Sequence, residues 1–212
     1  TAMDWQKLIS SKRLGKEDKP KPLEERRTEF QRDYDRLIFS AAFRRMQNKT
    51  QVFPLPGSVF VHNRLTHSLE VSSVGRSLGT DVSIELIARH PELKETEVTG
   101  MGAIVSAACL AHDMGNPPFG HSGERAIRTY FSEGKGRQWR SLITHDGRSL
   151  SEAEWLDITR FDGNANTFRL LTHHFSGRRR GGFVMTYATL ASIVKYPYGS
   201  DGARRKPKFG FF

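Results

Sequence analysis

The spacing of apolar and polar residues predicts helices over most of the chain. Residues 4–47 are rich in Glu, Arg, Gln and Leu. Within them, apolar side chains recur at the spacing of one helix face. These apolar positions are Phe30, Tyr34, Leu37, Ile38 and Ala41. We expect two helices in this region, separated by a charged, proline-bearing loop at residues 16–21.

Two further segments carry the strongest helical signals. Residues 66–89 repeat apolar positions at i, i+3 and i+4 over several turns, which predicts one long helix. The positions are Leu69, Val71, Val74, Leu78, Val82 and Leu86. Residues 95–112 predict a second, buried helix that ends before Asn116, Pro117 and Pro118. Residues 51–61, with two prolines and a glycine, predict an irregular loop between these helices and the first region.

The second half of the chain is also mainly helical in pattern. Helices are predicted at residues 123–130, 152–159, 164–175 and 186–194, whereas residues 134–148 are polar without a clear period. A tail rich in Gly and Pro covers residues 196–212. Because few segments resemble strands and no repeat is present, we expect an all-α helical bundle built as one globular unit.

Composition and charge narrow the classes of function. The longest uncharged apolar stretch, Met101 to Ala111, is far shorter than the roughly 20 residues of a membrane span, and no basic-then-apolar leader opens the chain. We therefore expect a cytoplasmic protein without a membrane partner. The single cysteine, Cys109, excludes an intramolecular disulfide and a cysteine-based zinc site. A net charge of +10 and a pI near 10.0 favour anionic partners such as nucleotides or nucleic acids.

Three short segments concentrate side chains that bind metals: one around His67, the adjacent pair His112 and Asp113, and one with His121 and Glu124. Imidazole together with carboxylate suits Mn, Fe, Ni, Zn or Mg, and the nitrogen ligands weigh against Mg. Neighbours on a helix point about 100° apart, so the adjacent pair can share one ion only near a helix end. The apolar helix is predicted to end there.

Each histidine could have a purely structural role instead of binding a metal. The adjacent pair could instead be a histidine near the negative end of a helix dipole with a carboxylate beside it. A buried charged pair would be costly without a metal or another partner, so we favour the metal interpretation. The remaining histidines are expected to be packed or surface residues: His62, His90, His145, His173 and His174.

Six strings of the sequence together resemble a known family. They are FRRMQNKTQVFP at 43–54, RLTHSLEV at 64–71, AHDMGNPPFGHSGE at 111–124, FDGNA at 161–165, TYATLA at 186–191 and KFGFF at 208–212. These strings resemble the bacterial deoxyguanosine triphosphate triphosphohydrolases, which belong to the HD superfamily of phosphohydrolases. The resemblance implies an HD-domain helical bundle. It also implies that residues 1–212 form the N-terminal portion of such a protein, with the metal core at about residues 62–200.

The resemblance implies a reaction as well as a fold. The family splits a deoxynucleoside triphosphate, with dGTP preferred, into a deoxynucleoside and tripolyphosphate. His67, His112 and Asp113 would hold a divalent ion, Mn²⁺ or Mg²⁺ with Zn²⁺, Ni²⁺ or Fe²⁺ as alternatives, that activates water for attack on the α-phosphorus. His121 would act as general acid towards the departing 5′-oxygen, and Glu124 would set its tautomer.

Substrate contacts follow from the same resemblance. Arg64 would pair with phosphate oxygens and Asn164 would lie on the phosphate side. Two groups match the remaining contacts: Lys195, Tyr196 and Lys208 for the triphosphate tail, and Gln51 and Val52 for the sugar and base. Each of these residues could instead be an ordinary surface charge or a loop residue that satisfies backbone groups.

The sequence departs from the family pattern in two places. Asn166 stands where the family usually has Gln. The family's fourth metal ligand, an Asp, lies downstream of the string at 208–212 in which this sequence stops, so we expect a truncated protein whose fourth ligand lies beyond residue 212.

The resemblance also implies a homo-oligomer at full length. Two other functions remain open: an HD phosphohydrolase of another nucleotide, and an inactive fragment that binds nucleic acid. Basic runs at 178–180 and 204–206 suggest single-stranded DNA or a nucleotide effector as a further partner.

Overall fold

A computed structural model describes residues 3–18, 26–50, 63–145, 147–177, 180–202 and 208–212. Two expected substrate contacts, Gln51 and Val52, and most of both basic runs lie outside these ranges. The described α-helices are α1 (Trp5–Leu8), α2 (Glu29–Ile38), α3 (Ala41–Arg44), α4 (Arg64–Arg89), α5 (Met101–Ala111), α6 (Gly120–Ser132), α7 (Trp139–Leu142), α8 (Glu152–Thr159), α9 (Gly163–Thr172) and α10 (Tyr187–Ile193). One antiparallel hairpin, β1 (Thr144–His145) and β2 (Arg148–Ser149), accompanies them. The mainly α fold class is confirmed.

Several helix boundaries differ from the sequence prediction, most clearly those of the first helix and of α5. The first helical region forms only the single turn α1, capped by Asp4. The helix expected from residue 95 begins at Met101, after a 3₁₀ turn at Glu97–Gly100. Gly100 lies at the junction of the two and against the ring of Phe30, where an added Cβ would lie 2.5 Å from a ring carbon.

Helices α4 and α5 form the centre of the fold, and they pack through small side chains. Their contact face contains Ser72, Gly75 and Gly79 from α4 and Gly102 and Ser106 from α5. The backbones approach so closely that a Cβ on Gly79 would lie 3.0 Å from the Cα of Gly102. Several of the apolar residues that predicted α4 do not face α5 but are exposed to solvent. Val74, Leu78 and Val82 are 60%, 60% and 50% exposed.

The main core surrounds α5 and joins it to α2, α9 and α10. Its largest buried side chains are Leu37, Phe43, Met46, Leu110, Met114, Leu171 and Met185. A buried polar network closes one side of it: Arg13 donates to Asp33 Oδ1 at 2.6 Å, and Asp33 Oδ2 accepts the Thr186 N–H at 3.0 Å. Because Thr186 caps α10, this network attaches the N-terminal segment to that helix.

The loop after α5 is held tightly against α9. Thr167 accepts the Gly115 N–H at 2.9 Å and donates to the Gly163 carbonyl at 3.0 Å. Asn166 donates through Nδ2 to the Gly115 carbonyl at 2.8 Å. The residue at which the sequence departs from the family therefore supports this loop.

Gly115 is expected to tolerate no side chain. A Cβ there would lie 2.1 Å from the backbone nitrogen of Thr167, and backbone cannot move aside as a flexible side chain can. We expect Gly115→Ala to lower the free energy of unfolding by about 3 kcal/mol, the upper part of the usual range for overpacked sites. Urea denaturation measures this change. Gly147→Asn is the control, because its open turn, with φ of +75°, accepts Asn. Equal stability of both variants would contradict the packing described here.

Candidate active site

His67, His112 and Asp113 are brought together by the ends of two helices. His67 lies in the first turn of α4, whose N-cap Asn63 accepts the Thr66 N–H at 2.9 Å. His112 and Asp113 directly follow the last residue of α5. Among the described residues these three form a group whose possible ligand atoms all lie within 4.8 Å of one another. The adjacent pair can face one point because α5 ends at Ala111, immediately before His112.

The chemistry of this group fits a divalent cation. The ring Nδ1 of His112 is 2.6 Å from the Cys109 carbonyl oxygen, which can only accept, so Nδ1 carries the proton and Nε2 keeps its lone pair. That Nε2 lies 3.4 Å from Asp113 Oδ1. Two ligands about 2.1 Å from an ion at a tetrahedral angle are about 3.4 Å apart. The three residues could therefore hold a metal ion.

The Asp113 carboxylate is held by side chains on both of its oxygens. Arg64 Nη1 donates to Oδ2 at 2.6 Å, and Asn116 Nδ2 donates to Oδ1 at 2.5 Å. Ligating carboxylates are commonly oriented by such outer hydrogen bonds. Arg64 is itself buried, so it is not the surface charge that remained an alternative interpretation.

His121 and Glu124 form a second pair on the first turns of α6. Phe119 precedes this helix in the left-handed region, with φ of +64°. His121 Nδ1 lies 2.9 Å from Glu124 Oε2, and Glu124 Oε1 accepts the Gly163 N–H at 2.9 Å. Burial acts to raise the pKa of Glu124, but the bonds from His121 and Gly163 and the nearby Lys208 ammonium outweigh it and lower that pKa.

This ionisation state determines how His121 is oriented. An ionised carboxylate only accepts, so His121 donates through Nδ1–H and its Nε2 is the ring nitrogen available to a substrate. The imidazole is 83% exposed while its carboxylate partner is 3% exposed. The pair thus places a proton donor or acceptor at the surface of the pocket and holds it through a buried carboxylate.

One pocket of about 480 Å³ contains every predicted site residue that the structure describes. These are Arg64, His67, His112, Asp113, His121, Glu124, Asn164, Lys195, Tyr196 and Lys208. Four lining residues were not predicted: Asn116, Phe119, Gly120 and Ser122. All four belong to the string at 111–124, so the motif contained the signal. Arg128 supports the site from outside the pocket lining, and no sequence motif had indicated it. It donates to the Phe161 carbonyl at 2.7 Å.

The pocket also collects cationic side chains. Lys208 Nζ lies 3.2 Å from Glu124 Oε2, and Lys195 Nζ lies 5.8 Å from the ring centre of Tyr196. With Arg64, these lysines place three cations around one pocket. Such an arrangement suits a ligand with several negative charges.

The profile of the HD domain matches residues 64–178, which is more than half of the chain. The chain belongs to the HD-domain family. The matched residues include the His67, His112 and Asp113 group and the His121 and Glu124 pair. In the part of the chain that the structure describes, no helix is long and apolar enough to cross a membrane.

Curated relatives agree with the resemblance seen in the motifs. A "deoxyguanosinetriphosphate triphosphohydrolase-like protein" from Synechocystis is 49% identical over 99% of this chain and 48% of its own length. A protein of the same name from Pseudomonas aeruginosa is 47% identical over 99% of this chain and 46% of its own length. A "deoxyguanosinetriphosphate triphosphohydrolase" from Yersinia enterocolitica is 35% identical over 92% of this chain and 42% of its own length. The chain spans about half the length of the relatives it matches.

Proposed function

We propose that the full-length protein hydrolyses deoxynucleoside triphosphates, with dGTP preferred, to a deoxynucleoside and tripolyphosphate. One observation carries this proposal: a single pocket combines a metal-type ligand group, a His and Glu pair and three cationic side chains. The names of the relatives support the substrate, because they are called dGTP triphosphohydrolases or proteins like them.

Each part of the pocket has a distinct task in this reaction. A divalent ion, which we propose to be Mn²⁺ or Mg²⁺, would supply Lewis-acid activation of water and of a phosphate oxygen. Arg64, Lys195 and Lys208 bind the phosphate chain and offset its charge. His121 in its imidazolium form keeps Nδ1–H on Glu124 and delivers the Nε2 proton to the 5′-oxygen of the departing deoxynucleoside.

Identification of the phosphate product is the decisive test. The full-length protein is incubated with each of the four dNTPs and Mn²⁺ or Mg²⁺, and the products are separated by ion chromatography. We expect intact tripolyphosphate, formed fastest from dGTP, and none in a sample with EDTA. Orthophosphate or pyrophosphate as the first product would instead identify an HD phosphohydrolase of another reaction type.

A second anionic partner is proposed from charge alone. With a net charge of +10, the protein would bind single-stranded DNA or a nucleotide effector through its basic surface. Affinity for single-stranded DNA should fall steeply as salt rises, because phosphate contacts release counterions. Affinity that is independent of salt would remove this proposal and leave the triphosphohydrolase proposal intact.

A further inference from the structure

Asp162 is a fully buried carboxylate next to the pocket, and capping of its own helix uses only one of its two oxygens. It is the N-cap of α9, and its Oδ1 accepts the Asn164 N–H at 2.7 Å. A cap requires one such acceptor. Oδ2 has no hydrogen-bond partner within the described residues, and the Lys208 ammonium lies 3.4 Å from it. Burying an anionic oxygen is costly unless a cation offsets its charge. The ammonium of Lys208 is the cation that offsets it here, so the Asp162 charge attracts Lys208.

The negative charge of Asp162 is not required for capping. Four other helices among the described residues, α2, α3, α8 and α10, begin with hydroxyl caps, namely Thr28, Ser40, Ser151 and Thr186. A neutral side chain with one oxygen acceptor therefore serves the same local purpose. The charge calls for a separate explanation.

Asp162 contacts two residues that line the pocket. Its Oδ1 also accepts Nδ2 of Asn164 at 2.7 Å, and its Oδ2 faces the ammonium of Lys208. Lys208 in turn donates to Glu124 Oε2 at 3.2 Å, the same oxygen that holds His121. An ammonium has three N–H donors. Glu124 accepts one of them and the Asp162 carboxylate lies beside the ammonium at ion-pair distance, which leaves N–H donors for a ligand in the pocket.

We propose that Asp162 is a positioning residue for the phosphate-binding side of the pocket. It holds the Asn164 amide with one oxygen and the Lys208 ammonium with the other, so that both side chains present donors to the triphosphate chain. Without its charge, Lys208 would shift towards Glu124 and compete there with His121. This inference rests on the proposed function, because it names the residue that orients the groups binding the phosphates.

The test is Asp162→Asn in the full-length protein. Asn is as good a cap as Asp, so the melting temperature should change little. We expect the Kd for inorganic tripolyphosphate, measured by calorimetry, to rise about tenfold, together with the KM for dGTP, as for loss of one charge-assisted contact. Asp157→Asn is the matched control. It makes the same change on α8, outside the residues that line the pocket, and should alter neither constant.

A double-mutant cycle with Lys208→Gln tests the route of the effect. If Asp162 acts through Lys208, Asp162→Asn should weaken tripolyphosphate binding much less in the Lys208→Gln background. Should Asp162→Asn fail to fold, Asp162→Ser keeps a hydroxyl cap without the charge, and the same loss of affinity is expected.

The outcomes separate this inference from the proposed function. Unchanged tripolyphosphate affinity in Asp162→Asn, with normal binding and hydrolysis by the wild type, means that Asp162 is only a cap and overturns the inference alone. A wild type that neither binds tripolyphosphate nor releases it from dNTPs overturns both.

Discussion

Replacing His112 by alanine is expected to abolish tight binding of a divalent metal. Its Nε2 is the lone-pair nitrogen of the group, because Nδ1 is committed to the Cys109 carbonyl. Changes to outer-shell partners already cost about 10- to 100-fold in metal affinity, so loss of a ligand should cost more than about 100-fold. Metal content after dialysis against Mn²⁺ and titration calorimetry both measure the change. Activity of the full-length protein should be lost in parallel.

The control for this experiment is another histidine of the same chain. His90 follows α4 at its far end and faces Glu92 at 3.3 Å, so His90→Ala should bind metal like the wild type. Retention of metal by His112→Ala would rule out the proposed site. Asp113→Asn is the second variant. It is preferred to Asp113→Ala because the Asn amide oxygen can still accept a hydrogen bond from the buried Arg64, whereas Ala would leave that guanidinium without this acceptor.

Replacing His121 by alanine should separate catalysis from metal binding. The side chain lies outside the group of three ligands and is fixed through Nδ1 to a buried carboxylate. We expect kcat for dGTP to fall by about 10²- to 10⁴-fold, the usual contribution of a general acid, while metal content stays unchanged. Because the imidazole is exposed, its loss should leave stability nearly unaltered.

A substrate whose leaving group needs no proton tests the role of His121 as proton donor more directly. A nitrophenyl ester of triphosphate expels an anion that needs no proton, so His121→Ala should hydrolyse it almost as fast as the wild type. His90→Ala should behave as wild type with both substrates. Equal losses on both substrates would show that His121 has a role other than proton donation, and full activity on dGTP would remove it from the mechanism.

The helical class of the fold was predictable because it depends on local periodicity. The segments that became α4, α8, α9 and α10 were placed within a few residues of their observed bounds. The face that α4 buries was not predictable in the same way. Its contact with α5 uses Gly75 and Gly79, and small side chains produce no apolar signal although they permit the closest packing.

In the candidate site, too, some features follow from neighbouring residues in the sequence and others depend on contacts between distant segments. Residue types and spacing sufficed to select His67, His112 and Asp113, since imidazole and carboxylate groups near a helix end are recognisable from neighbours in the chain. Only the tertiary structure determined that Arg64 supports Asp113 and that Asp162 lies beside Lys208. Those relations join segments tens of residues apart. They depend on how α4 packs on α5 and how the loop after α5 meets α9, and no local pattern encodes such distances.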